Sequence, residues 1–400
     1  MKIEVDTRIL ANSLYYLSSA LSANPEFAIL SYIHCLCEKT NGRIILTTSN
    51  IETNVISECK ADIDSDQNTV SFLIPAKQFI NIITNSNADK TQLKFDQVAM
   101  SLRYNLDQTS GKLKCLPAED FPVPVFGHSN SIDVSVYDLS KLITQAIIAC
   151  DSPESTRIAL TGVYITVEDD ILQAISGDGY RLALCRIKLG SQYSRAEAVV
   201  PSKYLKPLRS ILRKFDDDFI IKLRLPSTQN NKIMFEFGDM FIATQVLADP
   251  FPNVNGVFTN TYDTTIQVPV SGLTESINIH NSYAVNENST TYFKSNKDSQ
   301  YCMVSRDPEG GAVGTVIADL DQSLKLPNVC FNIKFLSDFI KVCADEDISI
   351  YLGTESSPIC IRPLQDNTND INGERLGYTY YIMPIGNDGI VDDIEYAYPT

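Results

Sequence analysis

The 400-residue chain lacks the features that would place it in or across a membrane. No stretch approaches the run of about 18 apolar residues that a membrane-spanning helix needs. Residues 1–6, MKIEVD, do not show the basic and then apolar order of a secretory signal peptide. We therefore expect a cytoplasmic protein that does not contact a membrane.

Positive charge is also scarce. The chain has 33 Lys and Arg against 49 Asp and Glu, which gives a net charge of -16. Non-specific attraction of the whole molecule to nucleic acid is therefore disfavoured. Any binding to DNA must be confined to a local cationic surface.

Paired cysteines and clustered histidines are missing as well. The ten cysteines include no C-x-x-C pair and lie in apolar surroundings, which is typical of reduced core thiols. His34, His128 and His280 are far apart and fit no metal-binding pattern. The sequence therefore predicts no metal site, no cofactor and no disulfide framework.

Adjacent acidic residues raise the alternative of a hydrolase, with Asp169 and Asp170 or residues 216–218 as its carboxylates. General acid and base groups must converge in a cleft, whereas neighbours along a strand point to opposite faces. The G-D-G at 177–179 lacks the third glycine and the Lys-Ser/Thr pair of a phosphate-binding loop. We therefore expect solvated turns here and no catalytic residues.

The sequence contains a threefold internal repeat. IPAKQF at 74–79 recurs as VPSKYL at 200–205 and, more weakly, as FNIKFL at 331–336, at offsets of 126 and 131. LPAEDFP at 116–122 recurs as LADPFP at 247–252. Each unit also opens with a short alternating segment followed by an amphipathic stretch. This pattern predicts domains at 1–128, 129–258 and 259–386, followed by an acidic tail at 387–400.

Within each unit the periodicity indicates a strand, a helix, several strands, a second helix and further strands. Asn-, Asp-, Gly- and Ser-rich clusters separate the strands. The predicted fold class is α+β, with two helices on antiparallel sheets in each of three similar domains.

Cationic residues concentrate on the helix predicted to begin at Pro201. At about 100° per residue, five of them fall within an arc of roughly 140°, opposite an apolar face. Smaller contributions come from the helices that begin near Lys334 and Pro75. Such a strip is suited to duplex DNA contact through phosphates, without sequence readout. The candidate DNA-facing residues are Lys203, Lys206, Arg209, Arg213, Lys214, Lys334, Lys341 and Lys77.

Four segments give the sequence a family resemblance. LPAEDFP at 116–122, RIALTGV at 157–163, GDGYRLA at 177–183 and YIMPI at 381–385 occur in the order seen in the bacterial β sliding clamp family, the processivity subunit of DNA polymerase III. NPEFAIL at 24–30 resembles a further family segment. The resemblance covers nearly the whole chain and agrees with the three units.

The resemblance implies a head-to-tail homodimer ring of six similar domains, with helices lining a hole around double-stranded DNA. Such a ring catalyses no reaction. It implies as partners a clamp-loader ATPase, the replicative DNA polymerase and other proteins whose short peptides enter a cleft between the second and third units. The cleft residues that it implies are Leu160, Gly179, Tyr180, Arg181, Leu182, Pro252, Val257, Tyr381, Ile382, Met383, Pro384 and Ile385.

Several positions depart from the family pattern. Gly177, Tyr180, Gly256 and Gly386 replace the usual Thr, His, Arg and Arg around the cleft, so we expect a cleft that is retained but altered in peptide preference. Asn24 stands where an Arg commonly reaches DNA, and the helix expected around residues 273–283 has no Lys or Arg. DNA contact should therefore concentrate on the second unit.

Two further hypotheses remain open. The chain could be a clamp-like scaffold that binds partner peptides but no longer encircles DNA, which the missing Arg residues and the net charge favour. The tail at 387–400, with four acids and no basic residue, is either a disordered extension or a built-in competitor for the cleft.

Overall fold

A computed structural model describes most of the chain. The described residues are 1–21, 25, 27–124, 131–227, 231–258, 261–284, 289–296, 298–307, 309–319, 326–364 and 376–386. The predicted tail at 387–400 lies outside them, as does Asn24.

Seven helices are assigned within the described residues. They are α1 (Thr7–Leu17), α2 (Ala76–Thr84), α3 (Val136–Ile147), α4 (Ser202–Leu212), α5 (Asn255–Phe258), α6 (Val270–His280) and α7 (Ile333–Val342). Short 3-10 helices occupy Ser18–Ala20, Ala28–Ser31 and Ile158–Thr161.

The strands make up most of the remaining structure. They are β1 (Lys2–Asp6), β2 (Tyr32–Glu38), β3 (Arg43–Ser49), β4 (Thr53–Lys60), β5 (Asp62–Asp64), β6 (Thr69–Pro75), β7 (Lys90–Asp96), β8 (Ser101–Leu106), β9 (Thr109–Lys114), β10 (Ile132–Ser135), β11 (Gly162–Gly177), β12 (Arg181–Pro201), β13 (Ile220–Arg224), β14 (Lys232–Phe237), β15 (Met240–Gln245), β16 (Thr264–Pro269), β17 (Thr290–Ser295), β18 (Gln300–Arg306), β19 (Ala312–Asp319), β20 (Val329–Asn332), β21 (Asp347–Leu352), β22 (Ile359–Pro363) and β23 (Gly377–Ile382).

Each sequence repeat begins with a strand that runs directly into a helix. These pairs are β1 and α1, β10 and α3, and β16 and α6. A second strand–helix step follows in each repeat, as β6 and α2, β12 and α4, and β20 and α7. Helices α2, α4 and α7 begin within the recurring segments, which confirms the helix starts predicted from them.

Local chemistry explains where these helices begin. Pro75, Pro201 and Pro269 each end a strand immediately before a helix. Proline suits this boundary because its φ is fixed near the helical value and it lacks the N–H that a first turn leaves unpaired. At α1 the Asp6 carboxylate instead accepts hydrogen bonds from two N–H groups of the first turn, at 2.8 and 3.1 Å.

The second repeat replaces four short strands with the two long strands β11 and β12. Their register shifts on either side of Asp169, whose φ is +53°. Such a bulge bends both strands, and aspartate tolerates this left-handed backbone better than most residues. Asp170, considered above as a catalytic carboxylate, lies at the same bulge in an ion pair with Lys188 (3.4 Å).

The described strands form four antiparallel sheets, and two of these are shared between repeats. Their strand orders are β5-β1-β7-β8-β9, β10-β13-β14-β15-β4-β3-β2-β6, β11-β12-β23-β22-β21-β16 and β19-β18-β17-β20. Strand β15 of the second repeat pairs with β4 of the first, with Met240 opposite Ser57. Strand β23 of the third repeat pairs with β12 of the second, with Leu182 opposite Tyr381.

This sharing divides the chain into two compact units that cut across the repeats. One unit comprises Met1–Val136 and Ser210–Val246, and the other comprises Tyr137–Arg209 and Leu247–Thr400. The division runs through the second repeat because its strands are hydrogen-bonded to different neighbours. The boundaries at 128/129 and 258/259 therefore remain predictions about the repeats.

Each unit has its own aromatic and aliphatic core. In the first, the rings of Phe72 and Phe95 stack with centroids 3.9 Å apart, and Leu14 of α1 is fully buried. In the second, Phe339 of α7 stacks on Tyr378 of β23 at 5.4 Å. Helices and sheets thus bury their apolar faces against each other within each unit.

Cysteines contribute to these cores, and all ten carry free thiols. Eight are buried, while Cys150 and Cys343 are half-buried. In the part of the chain that the structure describes, no three or more His, Cys, Asp or Glu side chains form a group that could hold a metal ion. None of the helices described above is long and apolar enough to cross a membrane.

A buried polar cluster connects α6 to the sheet of β17, β18 and β19. His280 Nδ1 lies 2.8 Å from Ser305 Oγ, and its Nε2 lies 3.0 Å from Thr315 Oγ1. Thr291 Oγ1 is 2.7 Å from Ser305 Oγ. Burial lowers the pKa of His280 from 6.5 to about 4, so the ring is neutral in the folded protein at neutral pH.

Protonation of His280 should destabilise the fold at mildly acidic pH. Its pKa is lower in the folded state, so the unfolded chain takes up the proton first as pH falls from about 6.5 to about 4, and stability is lost across that window. The size is at most roughly 3 kcal/mol. In the variant His280→Gln this component should disappear. Urea denaturation of both proteins should show their difference in unfolding free energy changing with pH; a pH-independent difference would contradict the assignment.

Candidate functional site

An apolar patch covers one face of the six-stranded sheet where the second and third repeats meet. Its buried members are Ile175, Leu182, Leu184, Cys360 and Tyr381. They share a face because residues directly opposite each other on antiparallel strands point to the same side, as Leu182 and Tyr381 do. Burial raises the pKa of the Tyr381 hydroxyl to about 12, so this residue adds no charge to the patch near neutral pH.

The segment that leads from the second to the third repeat packs on the apolar patch. Phe251 stacks on Tyr164 of β11, with centroids 5.5 Å apart and planes within 4°. Phe258 of α5 approaches Tyr381 at 5.8 Å. Half-buried aromatic and aliphatic walls of this kind accept the apolar side chains of a ligand. The half-buried members of the patch are Tyr164, Phe251, Val254, Val257, Phe258, Tyr262 and Tyr351.

A tight turn at 178–181 borders the patch. The Asp178 carboxylate accepts hydrogen bonds from the backbone N–H groups of Tyr180 (2.9 Å) and Arg181 (3.0 Å). Gly179 has a φ of +92°, and a Cβ at this position would lie 2.7 Å from Arg157 Nη1. The turn therefore requires Asp178 and Gly179 for its own geometry, independently of any ligand.

Arg181 ties this turn to α7 through a largely buried ion network. Its Nε lies 3.0 Å from the Asp178 carboxylate and its Nη1 lies 2.6 Å from that of Asp338, and the Arg181 side chain is 12% exposed. The guanidinium also stacks over the ring of Phe335 at 4.6 Å. Burial opposes the charge, yet the pKa of the guanidinium is raised because Tyr380 and both carboxylates surround it.

The structure distributes the twelve predicted cleft residues over several environments. Leu182, Val257 and Tyr381 belong to the apolar patch. Gly179, Tyr180 and Arg181 form the adjacent turn, and the Met383 N–H donates to Tyr180 O at 2.8 Å. Among the rest, Pro252 is exposed, Leu160, Met383 and Pro384 are half-buried, Ile382 is buried, and Ile385 packs on Tyr292 and Cys330.

Most members of the apolar patch and some of its neighbours were not among the predicted cleft residues, and three of these are the most informative. Phe251 and Tyr164 form the stacked wall, and Arg157 lies beside the turn, donating to Asp178 O (2.7 Å) and the Asp151 carboxylate (2.9 Å). Two signals were available, because Phe251 belongs to the recurring Phe-Pro pair and Arg157 opens the RIALTGV segment. No periodicity marks Tyr164 as a partner of Phe251.

The predicted cationic helix is shorter than the charged segment. Lys203 and Lys206 are exposed on α4, Arg209 is half-buried, and Leu205 and Leu208 are buried on the other side. The two-faced arrangement therefore matches the predicted periodicity.

Arg213 and Lys214 lie beyond the end of α4 at Leu212, so the prediction that all five cations share one helix is wrong. The chain turns there, with the Lys214 N–H donating to Ile211 O at 3.0 Å. Both side chains are exposed, and Lys214 Nζ lies 5.5 Å from the ring centroid of Tyr15.

The remaining candidate DNA-facing residues are also exposed at the surface. Lys77 lies in the first turn of α2 and Lys334 in that of α7. Lys341, near the end of α7, is 3.1 Å from Asp338, which already pairs with Arg181. Lys341 therefore has part of its charge compensated within its own helix.

Comparisons with known proteins agree across nearly the whole chain. Family models match residues 1–125 (DNA polymerase III beta subunit, N-terminal domain) and 133–253 (its central domain). The beta sliding clamp of Synechococcus elongatus is 21% identical over 96% of this chain and 99% of its own, and that of Staphylococcus epidermidis is 21% identical over 92% and 97%.

Solved structures show the same fold. The beta subunit from DNA polymerase of Streptococcus pyogenes superimposes with a TM-score of 0.84 at 19% identity, covering 97% of this chain and 100% of that one. The DNA polymerase sliding clamp of Bacillus subtilis gives 0.83 at 21% identity, over 97% and 99%. A DnaN sliding clamp from Pseudomonas aeruginosa, bound to griselimycin, gives 0.83 at 17% identity, over 97% and 100%.

Removing the Arg181 side chain should destabilise the second compact unit. Arg181→Ala leaves the partly buried Asp178 without its cation and Asp338 with only the exposed Lys341, which we expect to cost roughly 3 kcal/mol of unfolding free energy. Arg195→Ala is the matched control, because Arg195 is 62% exposed in its pairs with Glu168 and Glu197 and should contribute below about 1 kcal/mol. Equal losses in chemical denaturation of the two variants would refute the structural role of Arg181.

Proposed function

Because the chain belongs to the DNA polymerase III beta subunit family, the β sliding clamps, we propose that it closes into a ring around duplex DNA and holds a replicative polymerase there. The family acts as a processivity factor, so the chain's function is binding and tethering, with no reaction of its own. The observation that carries the ring is the pattern of strand pairing between repeats.

The second and third repeats each use their last strand to extend a sheet of the repeat before them. The last strand of the second repeat, β15, pairs with β4 of the first, and the last strand of the third, β23, pairs with β12 of the second. Among the described strands, β9, the last strand of the first repeat, ends its sheet, and so does β19 of the third. A second copy supplies the missing neighbour for both strands, which makes a head-to-tail interface.

Local geometry supports this pairing of β9 with β19. The hairpin of β8 and β9 closes with Leu106 opposite Thr109, and that of β14 and β15 closes with Phe237 opposite Met240, so β9 presents an edge equivalent to the one β15 uses. All eight residues of β19 are half-buried or exposed in the single chain, although it contains Val313, Val316 and Ile317. Strand β4, which has a neighbour on both sides, is mostly buried.

In the proposed ring, helices face the hole and their cations meet DNA phosphates. Lys203, Lys206 and Arg209 on α4, with Arg213 and Lys214 after it, form the main contact. Lys334, Lys341 and Lys77 assist, Lys341 less because of Asp338. A local cationic surface reconciles DNA binding with a net charge of -16. Opening and closing such a ring requires a clamp-loader ATPase.

The apolar patch and the turn beside it form the site for partner peptides in this proposal. Short peptides from polymerases and other proteins would insert apolar side chains against Leu182, Val257 and Tyr381, while Tyr180, 63% exposed, borders the entrance. Met383 and Pro384, both half-buried, border the site with a flexible and a rigid side chain, respectively. Arg181 holds the turn in place from behind, because its charge is already satisfied by Asp178 and Asp338 in the folded chain.

Topological retention tests the ring. The protein is loaded by a clamp loader onto a nicked circular duplex, isolated at moderate salt, and the DNA is then cut to a linear form. Salt weakens phosphate contacts but does not release a closed ring. We expect retention on the circle and loss from the linear DNA. Release from both, with a free mass equal to a closed dimer, would favour the peptide-binding scaffold instead.

Ring closure should depend on the N–H groups at the outer edge of β9. In an antiparallel strand, the N–H groups of alternate residues point toward the paired strand. The Cys115 N–H points that way, because it donates to Met100 O (2.9 Å). The N–H of Ser110, an odd number of residues away, therefore points away from β8. Ser110→Pro removes this donor and should weaken the dimer, whereas Ser110→Ala keeps it and should not. Sedimentation equilibrium of both variants measures the difference, and equal dimerisation would exclude β9 as the paired edge.

Reversing the charge of the α4 surface should block loading. The test variant combines four substitutions, Lys203→Glu, Lys206→Glu, Arg209→Glu and Arg213→Glu. Repulsion then replaces four phosphate contacts, so retention on circular DNA should be lost while the dimer persists. The control carries the same charge change at four other exposed lysines, Lys39, Lys60, Lys188 and Lys222. Unchanged loading of the α4 variant would remove this surface from the DNA contact.

A further inference from the structure

A row of four cations crosses the exposed face of the sheet formed by β5, β1, β7, β8 and β9. Lys2 lies directly opposite Lys94, and Lys94 opposite Arg103. Arg103 in turn lies opposite Lys112. At a strand spacing of about 4.8 Å the row is roughly 14 Å long. We refer to these four residues as the cationic row.

This arrangement opposes the stability of the sheet. Like charges directly opposite each other on neighbouring strands are destabilising. Two carboxylates offset part of this charge: Asp64 lies 3.9 Å from Lys2, with side chains 81% and 71% exposed, and Asp96 interacts electrostatically with Arg103 and Lys112. Lys94, Arg103 and Lys112 are all exposed. In a chain of net charge -16, four aligned cations form a local surface that is suited to an anionic ligand.

Neutral hydrogen-bonding side chains line up two residues further along the same strands. Gln92 lies opposite Asn105, and Asn105 opposite Ser110. The Asn105 amide donates to Gln92 Oε1 at 3.4 Å. A groove of about 950 Å³ runs over this face and is lined by the cationic row and these three residues, with the carboxylates of Glu4, Asp62 and Asp64 at its β5 and β1 end. Glu4 is paired with Lys90 and Asp64 with Lys2, so the positive charge of the groove is concentrated over β7, β8 and β9.

We propose that this groove binds a single nucleic-acid strand through its phosphates. Lys and Arg beside Asn, Gln and Ser are the side chains that contact phosphate and sugar oxygens. A peptide would need apolar anchors, but Ile3 and Leu93 are buried on the opposite face, 2% and 3% exposed. The volume lies in the range of small-ligand sites and accommodates a few nucleotides.

This site goes beyond the proposed ring, which meets duplex DNA through helices. Strand pairing at β9 lies in the plane of the sheet, so it leaves the exposed face open in the assembled protein. None of the groove-lining residues is an aromatic platform on that face, because Tyr104 is half-buried over Gly111. Contact is therefore electrostatic and independent of base sequence.

Salt dependence of binding to a fluorescent oligothymidine tests the proposal on the full-length protein. With four phosphate contacts, affinity should fall about fiftyfold between about 50 and 200 mM salt, and with two contacts only about sevenfold. Lys94→Gln combined with Arg103→Gln should show this lower salt dependence and bind at least about tenfold more weakly at low salt. Lys188→Gln with Lys222→Gln, an equal charge change at exposed lysines outside this sheet, should behave like the wild type.

Two further measurements separate this site from a folding defect and from the α4 surface. The Lys94→Gln, Arg103→Gln variant should melt at or above the wild-type temperature, because three opposed like-charge pairs are removed. A variant with Lys203, Lys206 and Arg209 changed to Glu should still bind oligothymidine. Loss of binding in that variant would overturn the proposal and assign the strand to α4.

Other outcomes also overturn it. Unchanged affinity and salt dependence in Lys94→Gln, Arg103→Gln would exclude the cationic row. A duplex of equal length that binds as tightly as the single strand would refute the single-strand assignment. Binding of an oligoglutamate peptide without binding of oligothymidine would give the row to an acidic protein segment.

Discussion

Backbone hydrogen bonds between strands of different repeats are the interaction on which the rest of the structure depends. Pairing of β12 with β23 brings Leu182 opposite Tyr381, and this alignment creates the apolar patch from two distant parts of the chain. Pairing of β15 with β4 joins the first and second repeats in the same manner. The same rule, applied to β9 and β19, whose outer edges have no partner among the described strands, gives the direction of the proposed interface between copies.

The turn at 178–181 converts this strand pairing into a defined site. Asp178 holds the backbone, Gly179 provides the left-handed conformation, and Arg181 reaches α7 through Asp338. A residue that the family resemblance placed in the cleft thus acts mainly on the protein itself. Tyr180 is exposed beside this network and Gly177 is buried in β11, so in the proposed peptide site a change at Tyr180 would alter the surface without removing the network that fixes the turn.

Much of the fold was predictable because it depends on local signals. The helix starts after Pro75 and Pro201 follow from proline geometry and from apolar periodicity, both visible in one sequence. The Phe251 and Tyr164 wall was not predictable, because it depends on how a connecting segment folds back on a sheet. The register between the strands could not be predicted either, because no periodicity in the sequence relates the residues of the cationic row, which are Lys2, Lys94, Arg103 and Lys112.

The open edges of β9 and β19 also govern the behaviour of a protomer that has not yet met its partner. An exposed strand edge is a template for any extended segment, so newly made or diluted chains are the stage at which aggregation competes with assembly. The two edges belong to different repeats, so each added copy offers a fresh edge unless the rotation between copies closes on itself. A small change in that rotation would yield a growing fibre in place of a ring. Apparent stability should therefore rise with protein concentration.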